Sequence, residues 1–165
     1  MQTINIKNKQ EATRIISKFK EKRYKNIDVR FKNTRLKRIN ILIGTNIFYK
    51  NDLFVNSDTL WEIMQPFGEK GSHNYHNLTA KEIVEVVSDL TNPQCVFKTK
   101  DNSRYGIVSL IISENGKPLI VIIEIGAGLI GDTNANVNKF VTMYPKGNLK
   151  DILKRLNEKE ILFIK

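Results

Sequence analysis

His76-Asn77-Leu78-Thr79-Ala80-Lys81-Glu82-Ile83 is the stretch from which the fold of this chain can be read. Thr79 and Glu82 stand three residues apart before an apolar periodicity, the spacing of a reciprocal capping box, and Leu78 and Ile83 sit where a hydrophobic staple would close it. Ile83, Val86, Val87 and Leu90 then mark one helical stripe, which Asn92-Pro93 ends. Strands are expected next at about Cys95–Lys100, Tyr105–Ile112 and Leu119–Ile125, the last two joined by the hairpin signal Asn115-Gly116. A polar loop over Gly126–Asn136, a fourth strand at Val137–Tyr144, a helix marked by Leu149, Ile152, Leu153 and Leu156, and a short strand at Ile161–Ile164 complete the pattern. Helix first and meander after predicts an α+β fold, with an antiparallel sheet of four to five strands packed against helices.

Upstream, Ala12, Ile15, Ile16 and Phe19 predict an amphipathic helix over roughly residues 9–24, made basic by Lys18, Lys20, Lys22 and Arg23. Two β-like runs, Ile27–Lys32 and Arg38–Ile43, predict a hairpin around Asn33-Thr34-Arg35. A second short hairpin is expected at Ile47–Tyr49 and Leu53–Val55. Asp58 reads as the N-cap of a helix through Trp61 and Met64 that Pro66 stops, and Phe67–Ser72 reads as a linker. The expected division is a basic helix-plus-hairpin region over residues 1–70 and a second domain over 71–165.

Charge follows that division. Residues 1–50 carry 14 Lys/Arg against 3 Asp/Glu, whereas residues 51–165 carry 13 against 14, so the net +10 lies in the first third. A concentrated basic segment points to a polyanion such as nucleic acid. Genome-wide lysine bias, the bland explanation, would spread the charge evenly. The single cysteine, Cys95, excludes an intramolecular disulfide and reads as a small core residue. No stretch reads as a signal peptide or a membrane span, which makes a cytoplasmic protein without membrane partners the expectation.

Both histidines, His73 and His76, fall just before the capped helix. A helix N-terminus favours an anion, and an imidazole beside it could serve as general acid or base. Local packing or capping by His76 is the competing reading. Metal ligation would need further ligands that do not stand nearby, so neither a metal nor a cofactor is expected. Along Val137–Tyr144, alternation predicts that Asn138, Phe140, Thr142 and Tyr144 share one face, opposite Val137, Lys139, Val141 and Met143. The polar members could line a cleft that holds a phosphate or ribose. Arg104, with Lys98 and Lys100 on the preceding strand, could stabilise developing charge. Glu124, inside an apolar run, is expected to face solvent, the alternative being a paired functional group.

Residues from about 73 to 165 resemble the barnase–EndoU–colicin–RelE superfamily of nucleases, in the branch found at the C-terminus of MuF-type phage head proteins. The resemblance rests on His76-Asn77-Leu78-Thr79, Asn92-Pro93, Val137-Asn138-Lys139 with Thr142 and Tyr144, and Glu160-Ile161-Leu162-Phe163-Ile164. It implies a metal-independent endoribonuclease, a toxin or phage-encoded enzyme, in which a 2′-hydroxyl attacks the adjacent phosphate. Carried onto this chain, it implies His76 as the proton-transfer residue and Arg104 as the charge stabiliser. Thr142, with Asn138 or Tyr144, would position the phosphate. Substrate contacts are expected from His73, Lys98, Lys100 and Lys139; the charge pattern, not the resemblance, adds Arg30, Arg35 and Arg38 of the basic region. Expected partners are RNA, with tRNA a candidate target, and an immunity protein. The alternatives are a non-catalytic nucleic-acid-binding module and a partner-binding phage accessory protein on the same scaffold.

Overall fold

In the computed structural model, which describes residues 2–68, 73–101, 103–156 and 160–165, the first element is one the sequence pattern did not announce. Strand β1 (Gln2–Ile6) leads through helix α1 (Lys9–Glu21) to strand β2 (Ile27–Phe31), and β1 and β2 pair in parallel. Asn8 caps α1 by accepting the Glu11 N–H at 2.9 Å. A short 3-10 turn (Leu36–Arg38) runs into helix α2 (Ile39–Ile43), followed by strand β3 (Leu53–Asn56) and helix α3 (Ser57–Met64). Helix α4 (Ala80–Ser88) precedes strands β4 (Pro93–Lys98), β5 (Arg104–Ile112), β6 (Pro118–Leu129) and β7 (Asp132–Pro145), and then helix α5 (Leu149–Arg155) and strand β8 (Ile161–Ile164).

The fold is α+β, but the expected antiparallel sheet of four to five strands is wrong. Among the described residues there is one mixed sheet of eight strands in the order β1-β2-β3-β7-β6-β5-β4-β8. The β1–β2 and β3–β7 pairs are parallel and the others antiparallel. Pairing of β3 with β7 joins the N-terminal strands to the meander, so the sheet passes through the boundary expected at residue 70.

Local chemistry explains the other departures. The run at 38–43 coils because Leu36, Ile39 and Ile43 recur at helical spacing toward the core, and Gly44 ends the turn in the left-handed region at φ 72°. Asn40 fixes the return of the chain: its Oδ1 accepts the Ile47 and Phe48 N–H groups and its Nδ2 donates to the Phe48 carbonyl. Those bonds leave Ile47–Tyr49 outside any strand, so β2 takes β3 as its antiparallel partner. The cap of α3 is Asn56, not Asp58. The stretch 126–136 is largely strand, because β6 and β7 continue to a tight turn at 130–131. Most of the expected linker, residues 69–72, lies outside the described residues.

The two faces of the sheet carry different cores. On β6, Val121 and Ile123 belong to a large cluster with Ile16 and Phe19 of α1, Leu60 and Ile63 of α3, and Ile83 and Val86 of α4. Ile120 and Ile122 point the other way, into a smaller cluster with Phe97, Val108 and Ile152 of α5. Helix α5 packs on this second face through Ile152, and Tyr144 of β7 packs against the same cluster.

Candidate nucleic-acid interface

The segment that carries His76 is held in place by its neighbours. Tyr75 packs edge-on against Trp61 at 5.7 Å between ring centroids. The Asn77 N–H donates to the Gln65 carbonyl at 2.8 Å, and the Leu78 N–H to the Ile63 carbonyl at 3.0 Å. Asn77 adopts a left-handed backbone with φ 53°, which turns the chain toward the capped start of α4. The capping box is formed in full: Thr79 Oγ1 accepts the Glu82 N–H, and Glu82 Oε1 accepts the Thr79 N–H at 2.9 Å. Glu82 Oε2 also accepts the Glu114 N–H at 3.0 Å, tying the helix start to the β5–β6 turn. The result is a cleft of about 60 Å³ that His76 lines with Asn77, Glu82 and Glu114.

The imidazole lies 5.8 Å from the Tyr144 ring, centroid to centroid. Burial lowers the His76 pKa from its ordinary value, so the ring is neutral at pH 7, and burial raises that of Tyr144, which stays a phenol. A neutral imidazole can accept a proton and a phenol can donate a hydrogen bond, so this pair has complementary chemistry.

A bulge on β7 decides which residues join them. Ile123 pairs with Phe140 but Ile122 pairs with Thr142, leaving Val141 as an extra residue. Phe140 and Met143 therefore both face the large core, while Lys139, Thr142 and Tyr144 share the second face with Glu124, Ile122 and Ile120. The regular alternation expected from the sequence fails here. Asn138 pairs with Leu53 and is buried at 4% exposure. Its Nδ2 donates to the Lys50 carbonyl at 2.8 Å, clamping the loop before β3.

Further along the second face, five side chains align across five strands: Arg30 (β2), Phe54 (β3), Lys139 (β7), Glu124 (β6) and Arg104 (β5), each opposite the next in register. All five are half-exposed. At ~4.8 Å between strands the row spans about 19 Å. Arg104 Nε donates to Glu124 Oε1 at 3.0 Å, and its guanidinium also lies 3.7 Å from Asp101. Arg30 sits over the Phe54 ring at 5.6 Å and pairs with Asp52 through Nε at 2.8 Å. Burial disfavours the Asp52 carboxylate, yet the Asn33 N–H and the Arg30 guanidinium outweigh it and lower its pKa. Asp28, buried beside this row, has its pKa raised by burial, against which the Lys139 charge acts.

The site residues read from the sequence thus divide. His76 and Tyr144 meet, and Thr142 is on the same face. Arg104 and Lys139 lie four residues of β6 away from the Tyr144 level, about 13 Å at ~3.3 Å per residue. Asn138 is on the opposite face. Lys98 donates to the Thr99 and Asp101 carbonyls, Lys100 and His73 are exposed, and Arg35 and Arg38 lie beyond the end of β2. Sequence reasoning missed Phe54 and read Glu124 as solvent-facing ahead of its alternative as a paired group; the structure pairs it with Arg104. Glu124 did carry a signal, a carboxylate in an apolar run, but only the register reveals its cationic neighbours. Among the described residues no three His, Cys, Asp or Glu side chains form a group able to hold a metal ion, and no helix is long and apolar enough to cross a membrane.

No curated protein and no solved structure matches this chain significantly. A family model described as the phage MuF-C-terminal domain matches residues 68–165, the stretch that holds His76, α4, β4 to β7, α5 and β8. That match spans more than half of the chain, and the protein therefore belongs to the phage MuF-C-terminal domain family.

Proposed function

We propose that this protein is a metal-independent endoribonuclease whose second sheet face carries the RNA strand past His76. The observation that carries this reading is a neutral imidazole fixed beside Tyr144 on the face that also presents Arg30, Lys139 and Arg104 around Phe54. In the proposed reaction His76 takes the proton of a ribose 2′-hydroxyl as that oxygen bonds to phosphorus. The bond from phosphorus to the 5′-oxygen breaks, a solvent water protonates the departing oxygen, and a 2′,3′-cyclic phosphate remains. Thr142 and Tyr144 hold the phosphate by hydrogen bonds. The charged row, about 13 Å further along the strands, grips the adjoining backbone, and Phe54 offers a ring for a base to stack on.

RNA incubated with the protein in EDTA is the test. Cleavage should fall roughly 10²–10⁴-fold in His76→Ala, the usual contribution of a positioned acid or base. Lys139→Glu with Arg104→Glu should weaken binding and flatten its salt dependence by about 0.7 for each phosphate no longer neutralised. Full cleavage by His76→Ala would refute the catalytic assignment. The separation of the row from His76 favours one second reading, a module that binds single-stranded nucleic acid without cutting it. That reading keeps the salt-dependent binding and yields no cleaved product on prolonged incubation. tRNA as the substrate, and an immunity protein covering the same face, are extensions of the first reading.

A further inference from the structure

A cavity of about 400 Å³ opens on the other face of the sheet, beyond the ends of β1 and β2. These two strands run parallel and finish together at the Ile6–Phe31 pair, joined by the crossover helix α1. Ligand sites in α/β units collect at the carboxyl ends of parallel strands. The volume falls within the roughly 300–1,000 Å³ typical of small-molecule sites. Phe31, Val84 and Val87 lie beneath it, each at most 5% exposed, and the exposed Lys7, Lys9, Lys32 and Arg35 stand around its mostly polar rim.

Two further features bear on this rim. Among the described residues, none of the four cations is in an ion pair, and Asp89 is the one carboxylate on the lining. Lys32 is drawn electrostatically to Asp52 without contacting it. The loop presenting Arg35 is also pinned. The Asn33 N–H donates to Asp52 Oδ1 at 2.9 Å, the Thr34 N–H to the Asn51 carbonyl at 3.0 Å, and the Lys37 N–H to Asn51 Oδ1 at 3.0 Å. Arg35 itself is set in the left-handed region at φ 60°. Four like charges on the lining of one concave space raise the local concentration of an anion there.

We infer that this cavity binds a phosphate-bearing ligand of about mononucleotide size, its phosphates held by Lys9, Lys32 and Arg35 and its apolar portion resting on the floor. The inference is independent of the ribonuclease reading, since the cavity and the charged row lie on opposite faces. Calorimetric titration of the full chain with pyrophosphate and with a nucleoside 5′-diphosphate, at fixed ionic strength, tests it. Saturable binding at one equivalent is expected, with the nucleotide the tighter of the two. The exposed pair Lys9→Glu/Arg35→Glu should weaken binding about tenfold or more, because hydrogen bonds to charged groups are the strong ones. The same charge change at Lys150→Glu/Lys154→Glu on α5 should leave it unchanged. Absence of saturable binding, or equal loss in both double variants, would overturn the site. Equal affinity for pyrophosphate and nucleotide would overturn the role of the floor.

Discussion

Replacing Glu82 by Gln should destabilise the protein far more than one neutralised surface charge would. Glu82 is only 8% exposed, and its carboxylate accepts two backbone N–H groups, Thr79 at 2.9 Å through Oε1 and Glu114 at 3.0 Å through Oε2. An amide has one acceptor oxygen, so in the variant an NH₂ group faces one of those donors. A hydrogen bond to a charged acceptor contributes about 1.5–3 kcal/mol, and a stranded buried donor costs about 1–3 kcal/mol. These effects overlap, and recovery of the cost of burying the charge offsets part of them, which puts the net loss at about 2–4 kcal/mol. For a chain of this length each kcal/mol moves Tm by about 2–4 °C, so the shift is roughly 5–15 °C. Urea unfolding reads it directly: the midpoint should fall while the slope stays constant. Glu85→Gln, on the same helix and in no ion pair among the described residues, is the control and should stay within about 0.5 kcal/mol of wild type. If Glu82→Gln also stays within that margin, the carboxylate is not what joins α4 to the β5–β6 turn.

Three other perturbations probe separate features. A Cβ at Gly106 would lie 2.1 Å from Phe97 Cζ, so Gly106→Ala should cost about 1–3 kcal/mol in chemical denaturation, and Phe97→Leu in the same chain should relieve it; additive losses would refute the contact. Burial keeps the His76 pKa below 6.5, so between that folded pKa and 6.5 the unfolded chain binds more protons. Stability should therefore be undiminished above 6.5 and decline as pH falls through this window; His76→Gln should flatten the decline, and an unchanged slope would contradict the assignment. Cys95 is fully buried and its thiol is pushed up to about 11, so a thiol reagent should label it only as the protein unfolds, and fast labelling of the native state would refute that burial.

What the sequence disclosed was local. Thr79 and Glu82 announced their helix because a capping box is complete within four residues, and the β5–β6 hairpin was carried by Asn115-Gly116 at its tip. Strand β1 stayed hidden because Gln2–Ile6 is a mostly exposed edge strand whose order comes from β2, more than twenty residues away. The run at 38–43 is apolar enough for either structure, and the Asn40 bonds and Gly44 settle it as helix. On β7, alternation was sound up to Val141 and wrong in phase after it, because a bulge is fixed by the partner strand. His76 was legible as a candidate by its scarcity and position. The row from Arg30 to Arg104 was not, because its members are scattered over some 110 residues and meet only through four registers.

The β3–β7 seam also sets a timetable. Leu53 pairs with Asn138 and Phe54 with Lys139, so the N-terminal strands are joined to the meander only by residues made some 85 positions later. A chain emerging from the ribosome presents its basic third long before β7 exists. During that interval the charged row is missing Lys139, Glu124 and Arg104, and His76 has no Tyr144 to rest against. The assembled face therefore appears only once β7 has been made, and a product truncated before β7 would carry the basic segment without the row or the His76–Tyr144 contact.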